Sequence, residues 1–178
     1  VDDYNAARDI TKLLIERGHS SIGFVKGNPA HECSHGREKG YIHALQAAGL
    51  PVDNKLIFPG LFTYESGIAA GRSILELDEL PSAIFASNDI MAVGVANVLV
   101  KAGIRVPQDI SIAGFDDDTI CTIIEPHLTT IRQLVQEMAR EATLRLLKCQ
   151  EKESAMDDEP ALFNYELIER DSVQTIEQ

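Results

Sequence analysis

The sequence predicts an α/β fold, a doubly wound, mostly parallel sheet with flanking helices. Short apolar runs alternate with segments of helical period through most of the chain, glycines close the helical segments, and polar residues stand where the apolar runs end. Alternation of this kind implies right-handed βαβ units in a parallel sheet.

Residues 6–17 (AARDITKLLIER) space Ile10, Leu13 and Leu14 at helical intervals, and Gly18 is placed to stop that helix. Residues 22–25 (IGFV) read as a buried strand. A second helix is expected over 36–48, with Tyr41, Ile42 and Leu45 on one face and Gly49 behind it. The next strand and helix fall at 55–59 and 65–77. The run 83–86 then feeds a helix over 90–102, which Gly103 ends, with Pro107 just beyond. A strand over 110–115 follows. Past Pro126 the pattern changes: 128–132 (LTTIR) is β-rich, and 135–148 is a long helix with Met138, Leu144 and Leu147 among its apolar positions. Residues 151–159 (EKESAMDDE) have no apolar period and read as a loop, before a last strand over 161–169. No internal repeat interrupts this order.

At 178 residues and 44% hydrophobic content the chain suits one domain, or parts of two small ones, with a substantial core. No run approaches the roughly 20 apolar residues of a membrane span, and the opening VDDYNAARD has neither the basic region nor the apolar core of an export signal. Cys33, Cys121 and Cys149 are scattered and odd in number, which fits a reducing cytoplasm better than a disulfide framework. A net charge of -12, from 28 acidic against 16 basic residues, would be repelled by a phosphate backbone. DNA contact is therefore not expected from this chain's own surface.

Ligands of open α/β sheets bind at the carboxyl ends of the strands, where Asn88-Asp89 and Asp116-Asp117 stand. Asn88 can both donate and accept hydrogen bonds. Asp89 and Asp117 are equally placed to cap the helices that follow, and capping is the simpler role for Asp89.

Three segments in this region, AIFASNDIMAVG, VPQDISIAGFDDD and PHLTTIRQ, resemble the effector domain of the lactose-repressor/galactose-repressor (LacI/GalR) family of bacterial transcription regulators. The likeness extends upstream through RGHSSIGFV (17–25) and GREKGYIHAL (36–45), and downstream to LIERDS (167–172). It implies a periplasmic-binding-protein-like type I fold. Residues 1–125 would form the C-terminal effector-binding lobe, 126–152 a crossover into an N-terminal lobe, and 153–178 a return strand. The DNA-reading helix-turn-helix and most of the first lobe would then precede this chain, and the crossover helix would be poorly covered unless a partner covers it.

The resemblance also implies site residues. Arg37 aligns with an effector-contacting arginine whose planar fork donates to two oxygens. Asp116 aligns with an aspartate that accepts ligand hydroxyl or amine protons. Phe62 matches a position for an aromatic against the ligand ring, with ordinary core packing as its alternative. Gln133 matches a polar crossover position, and His31 and Cys33 fall where the family varies its residues to choose a ligand. A thiol at Cys33 departs from the small hydroxyl or longer polar residues common there, which leaves ligand identity open. Ile120, Ile123 and Ile124 fall where the family builds part of its dimer interface, with core beneath the crossover as the alternative. The segment HECSH (31–35) would suit zinc if helical, but no second ligand cluster accompanies it, and a variable loop is the simpler reading.

No nucleophile elbow, Walker loop or dinucleotide fingerprint is present, so neither catalysis nor a cofactor is expected. The Asp116-Asp117-Asp118 run suggests at most a cation or phosphoryl site, which ligand binding and capping explain more simply. The expected function is that of a ligand-sensing domain binding a sugar or related metabolite and acting on operator DNA as a homodimer. The rival is a periplasmic sugar-binding protein of a transport system.

Overall fold

Asp2 starts the first helix by accepting the backbone N–H of Asn5 at 3.0 Å, in a computed structural model that describes residues 1–151 and 161–176. Helix α1 (Asp3–Glu16) buries Ala6, Ala7, Ile10 and Leu14 and stops at Gly18, whose φ of +91° lies in the left-handed region that favours glycine. Strand β1 (Ile22–Val25) follows, buried throughout.

Helix α2 (Glu32–Ala47) begins four residues before the expected position at 36. A turn at Asn28 causes the difference. Its side chain accepts the N–H of Ala30, and its carbonyl accepts from both the His31 N–H and the Ser34 hydroxyl, which sets the chain into helix early. Tyr41 of α2 stacks on Phe24 with ring centroids 4.8 Å apart and donates its buried hydroxyl to the Ile22 carbonyl at 2.7 Å.

The strand expected over 55–59 shrinks to β2 (Ile57–Phe58), because the Asp53 side chain accepts the Lys55 N–H and draws 54–56 into a 3-10 turn. Helix α3 (Tyr64–Leu75) opens with a reciprocal Thr63–Ser66 capping box. Strand β3 (Ala83–Ala86) and helix α4 (Asp89–Lys101) follow, then β4 (Ser111–Ala113).

The four strands pair in parallel in the order β2-β1-β3-β4. Helices α1 and α2 pack together over one apolar cluster containing Phe24, Phe85 and Phe115, and α3 and α4 over a second containing Ile84, Met91 and Leu99. The architecture is doubly wound α/β, as the sequence predicts.

Strand β5 (Thr130–Gln133) runs alongside the tip of β4, where Gly114 and Asp116 donate N–H groups to the Thr129 and Ile131 carbonyls at 2.9 and 2.8 Å. It pairs antiparallel with β6 (Tyr165–Ile168), which is shorter than the expected 161–169. Between them lies helix α5 (Val135–Glu151), whose Val135, Leu144, Leu146 and Leu147 are exposed. Residues 152–160, most of the loop expected at 151–159, lie outside the described residues. Among the described residues no helix is long and apolar enough to cross a membrane.

His19 ties the lower edge of the sheet together. It is 1% exposed and bonds Ser82 Oγ at 3.1 Å and the Gln174 carbonyl at 3.2 Å, and burial holds its pKa below the usual histidine value. A depressed imidazole pKa contributes stability that is complete above about pH 6.5 and is lost as pH falls below it. His19→Ala is expected to lower stability at pH 7.5 by about 1–3 kcal/mol for two lost hydrogen bonds. In urea unfolding, the gap between wild type and variant should narrow as pH is taken down to about 5.5.

Candidate functional site

Strand order reverses between β1 and β3, because the chain passes from β1 outward to β2 and then returns to the other side of β1. Such a switch point opens a crevice above the carboxyl ends of the strands. Arg37 reaches it from α2, Phe62 from the loop after β2, Asn88 from the tip of β3, Asp116 from the tip of β4 and Gln133 from the end of β5.

Arg37 is only 5% exposed, so its charge must be satisfied locally. Its guanidinium carbon lies 3.6 Å from the Phe115 ring centroid and 5.7 Å from that of Phe62. Nε donates to Asp3 Oδ1 at 2.8 Å, and Nη1 donates to the Ser87 carbonyl and lies 3.8 Å from Asp116 Oδ1. Nη2 makes no hydrogen bond to the described residues, which leaves a charged donor for a ligand. Asp116 Oδ1 also accepts from Gln133 Nε2 at 2.5 Å. Burial raises the Asp116 pKa above the ordinary aspartate value, and the Arg37 charge and the Gln133 hydrogen bond oppose that rise. The site pairs a cation and an anion that each retain unused hydrogen-bonding capacity, which suits recognition of adjacent polar groups on a small molecule.

Phe62 forms the wall between these groups and β1. Its φ of +62° is unusual for a bulky residue, and its ring lies so close to Gly27 that a Cβ there would come within 2.1 Å of it. The His31 ring stands 6.1 Å from Phe62, with His31 at the N-cap of α2 and Cys33 half-buried in the first turn. His35 bonds the Pro29 carbonyl at 3.1 Å, so the two histidines of HECSH have different surroundings. Asn88 is 8% exposed and uses Oδ1 to cap α4 by accepting the Met91 N–H at 3.1 Å. Its Nδ2 lies 3.4 Å from the Phe62 carbonyl.

The capping roles expected of the aspartates are corrected. Asn88, not Asp89, caps α4, while Asp89 is buried and accepts from Thr130 Oγ1 at 2.6 Å and the Asp118 N–H at 2.8 Å. Burial pushes its carboxyl up to about 6, against the hydrogen bonds from Thr130, Cys121 and Asp118. Asp118, not Asp117, caps the 3-10 turn Thr119–Thr122. Asp117 instead accepts from Arg132 Nε and Arg170 Nη2, both at 2.6 Å. Burial alone would raise its pKa, but the hydrogen bonds and charges of Arg170 and Arg132 hold it below the usual aspartate value.

Ile120 and Ile124 pack partly buried against the α3–α4 cluster, whereas Ile123 is 67% exposed. A shallow apolar groove beside them is lined by Val93, Ala96, Val100, Ile124 and Pro126. Sequence reasoning missed Asp3, Phe115 and the buried Ser87 hydroxyl, which lacks a hydrogen-bond partner among the described residues. Phe115 ends an apolar run and carries no outward sign of its contact with Arg37.

Residues 11–173 match the periplasmic binding protein-like domain family, so fold and crevice together define a domain of that class. The HTH-type transcriptional repressor CytR of Escherichia coli (strain K12) is 37% identical over 99% of this chain and 51% of its own length. Catabolite control protein A of Priestia megaterium is 39% identical over 86% and 47%. Among solved structures, a sugar-binding LacI-family regulator from Escherichia coli complexed with phosphate has a TM-score of 0.88 at 32% identity, covering 98% of this chain and 62% of that one. The regulator CelR in complex with cellobiose has a TM-score of 0.90 at 34% identity, covering 97% and 52%. The chain belongs to the periplasmic binding protein-like domain family and is similar to solved regulators of the LacI family. It spans about half the length of these curated relatives.

Asp117 joins the strand tip to β5 and to the segment after β6. Replacing it with asparagine strands Arg170, whose side chain is 14% exposed. Asp117→Asn should cost about 3 kcal/mol in urea unfolding at pH 7. The deficit should shrink below about pH 4, because a depressed aspartate contributes stability only while it is ionised.

Proposed function

We propose that this chain is the ligand-sensing part of a LacI-type repressor that binds a small polar metabolite, a sugar or sugar derivative, and so controls operator binding. The observation that carries the reading is the buried Arg37 beside Asp116 at the switch point, each with hydrogen-bonding capacity to spare. Phe62 and His31 offer ring faces to an apolar side of the ligand, while Asn88, Gln133 and Cys33 edge the crevice. Arg37 is already accompanied by Asp3 and Asp116, so a neutral hydroxyl-rich ligand fits the charge balance better than a strongly anionic one. Cellobiose, the ligand in the CelR complex, is of that neutral kind.

On this reading 1–125 form the effector lobe, 126–152 cross into a second lobe and 153–178 return. The exposed apolar positions of α5 support a covering lobe. Operator DNA would be reached through an N-terminal helix-turn-helix of the intact dimer, whose lobes shift on ligand binding with a coupling of about 1–3 kcal/mol. Ile123 and the α4 groove would meet the same surface of a second copy.

Calorimetric titration of the full-length protein with sugars, sugar phosphates and nucleosides tests the site. Arg37→Ala or Asp116→Ala should weaken binding of any hit at least about tenfold, and unchanged affinity would overturn the assignment. The interface is tested by sedimentation: Ile123→Asp should weaken self-association at least about tenfold, as expected for a charge placed in an apolar contact.

A further inference from the structure

Asp89 belongs to neither the ligand contacts nor the helix cap, yet it is 1% exposed and bonded on every side. Its N–H donates to the Phe115 carbonyl at 2.9 Å, Oδ1 accepts from Thr130 and Oδ2 from the Asp118 N–H. The Cys121 thiol, wholly buried in the 3-10 turn, also hydrogen-bonds this carboxyl. The approach is so close that a Cβ on Gly114 would lie 2.2 Å from Oδ1. The turn it grips is unusual, because Asp116 and Asp117 have successive positive φ values of +118° and +56°. Asn88 precedes Asp89 in sequence, and Asp116 leads that turn.

We propose that Asp89 is a positioning residue that fixes the turn presenting Asp116 and links it at once to the crossover strand, through Thr130, and to the 3-10 segment leading to Ile123, through Asp118 and Cys121. The proposal deepens the effector reading and rests on it, since Asp116 is taken to face the ligand. One carboxylate thereby connects the crevice with both surfaces through which a change could leave the lobe. An ionised carboxylate accepts from all three donors, whereas a protonated one turns an oxygen into a donor and loses part of that capacity. The ionisable neighbours are Asp116 and Asp118 on the turn and the thiol of Cys121. Arg132 and Arg170 are taken up by Asp117. The upward shift of Asp89 noted above places this change near pH 6.

The test is hydrogen–deuterium exchange on the ligand-free protein between pH 5 and 7.5, corrected for intrinsic rates. In wild type, protection of 117–124 and 128–133 should fall together as pH drops through about 6. Asp89→Asn should lower both at pH 7.5 by about fivefold, the change implied by one hydrogen bond, and abolish their pH dependence, with α1 and α2 unchanged. Thr130→Val, which keeps the carboxylate and cuts one link, should loosen 117–124 as well as 128–133, and it decides the matter if Asp89→Asn does not fold. Segments that respond independently, or a pH dependence that survives Asp89→Asn, would overturn the proposal. No ligand is added, so a failed effector titration and a failed exchange experiment remain separate outcomes.

Discussion

A guanidinium taken almost wholly out of water needs compensation on every side, and that of Arg37 comes from four places in the chain. Asp3 begins α1, Ser87 follows β3, Phe115 follows β4 and Phe62 follows β2. None of these contacts forms unless the four strands are in register and α1 lies against α2. Burying a cation costs several kcal/mol unless it is paired and bonded, so the arrangement is stable only as a whole. The crevice is therefore preorganised: Arg37 cannot swing away to solvent without abandoning partners on each of these elements.

The run Asp116-Asp117-Asp118 shows how environment, more than residue type, divides the work. Asp116 sits beside Arg37 and Gln133 with a raised pKa, Asp117 is clamped by two arginines with a lowered one, and Asp118 points outward to cap a 3-10 turn. Two successive left-handed residues turn the backbone so that adjacent carboxylates face different neighbours. A fourth aspartate, Asp89, holds the backbone beneath them.

Most of the fold was legible because parallel buried strands read as apolar runs and helices as 3.6-residue periods. Strands 22–25 and 83–86 match in both bounds. Two of the errors fell where a short polar side chain redirects the backbone, at Asn28 before α2 and at Asp53 before β2, while the strands expected over 110–115 and 161–169 are shorter than their apolar patterns. A local pattern cannot show which carbonyl or amide such a side chain will reach. The site was legible only in part for the same reason. Arg37, Asp116 and Gln133 were singled out and do converge, but their supports, Asp3 and Phe115, lie 34 residues before and 78 after Arg37, and only the fold brings them together. Asp89 was assigned to capping because it follows Asn88 at a helix start. The structure gives that task to Asn88, which accepts the Met91 N–H, while Asp89 turns inward to Thr130.

Charge balance joins these observations. The chain carries a large excess of acid, yet its crevice is built round one buried arginine with carboxylates already beside it. Such a centre attracts a ligand through directional hydrogen bonds more than through net charge, because long-range attraction is largely cancelled within the site. Directional bonds require fixed donors and acceptors, and fixing them is what Gln133 does for Asp116 and Asp3 does for Arg37. Gln133 stands on the strand that leads into α5 and Asp3 on the helix that opens the chain, so under the proposed function the groups that aim the site are carried by the segments that would meet a covering lobe. On the proposed two-lobe reading, ligand contact and lobe position are then coupled through these side chains, alongside the link that Asp89 makes to the crossover strand.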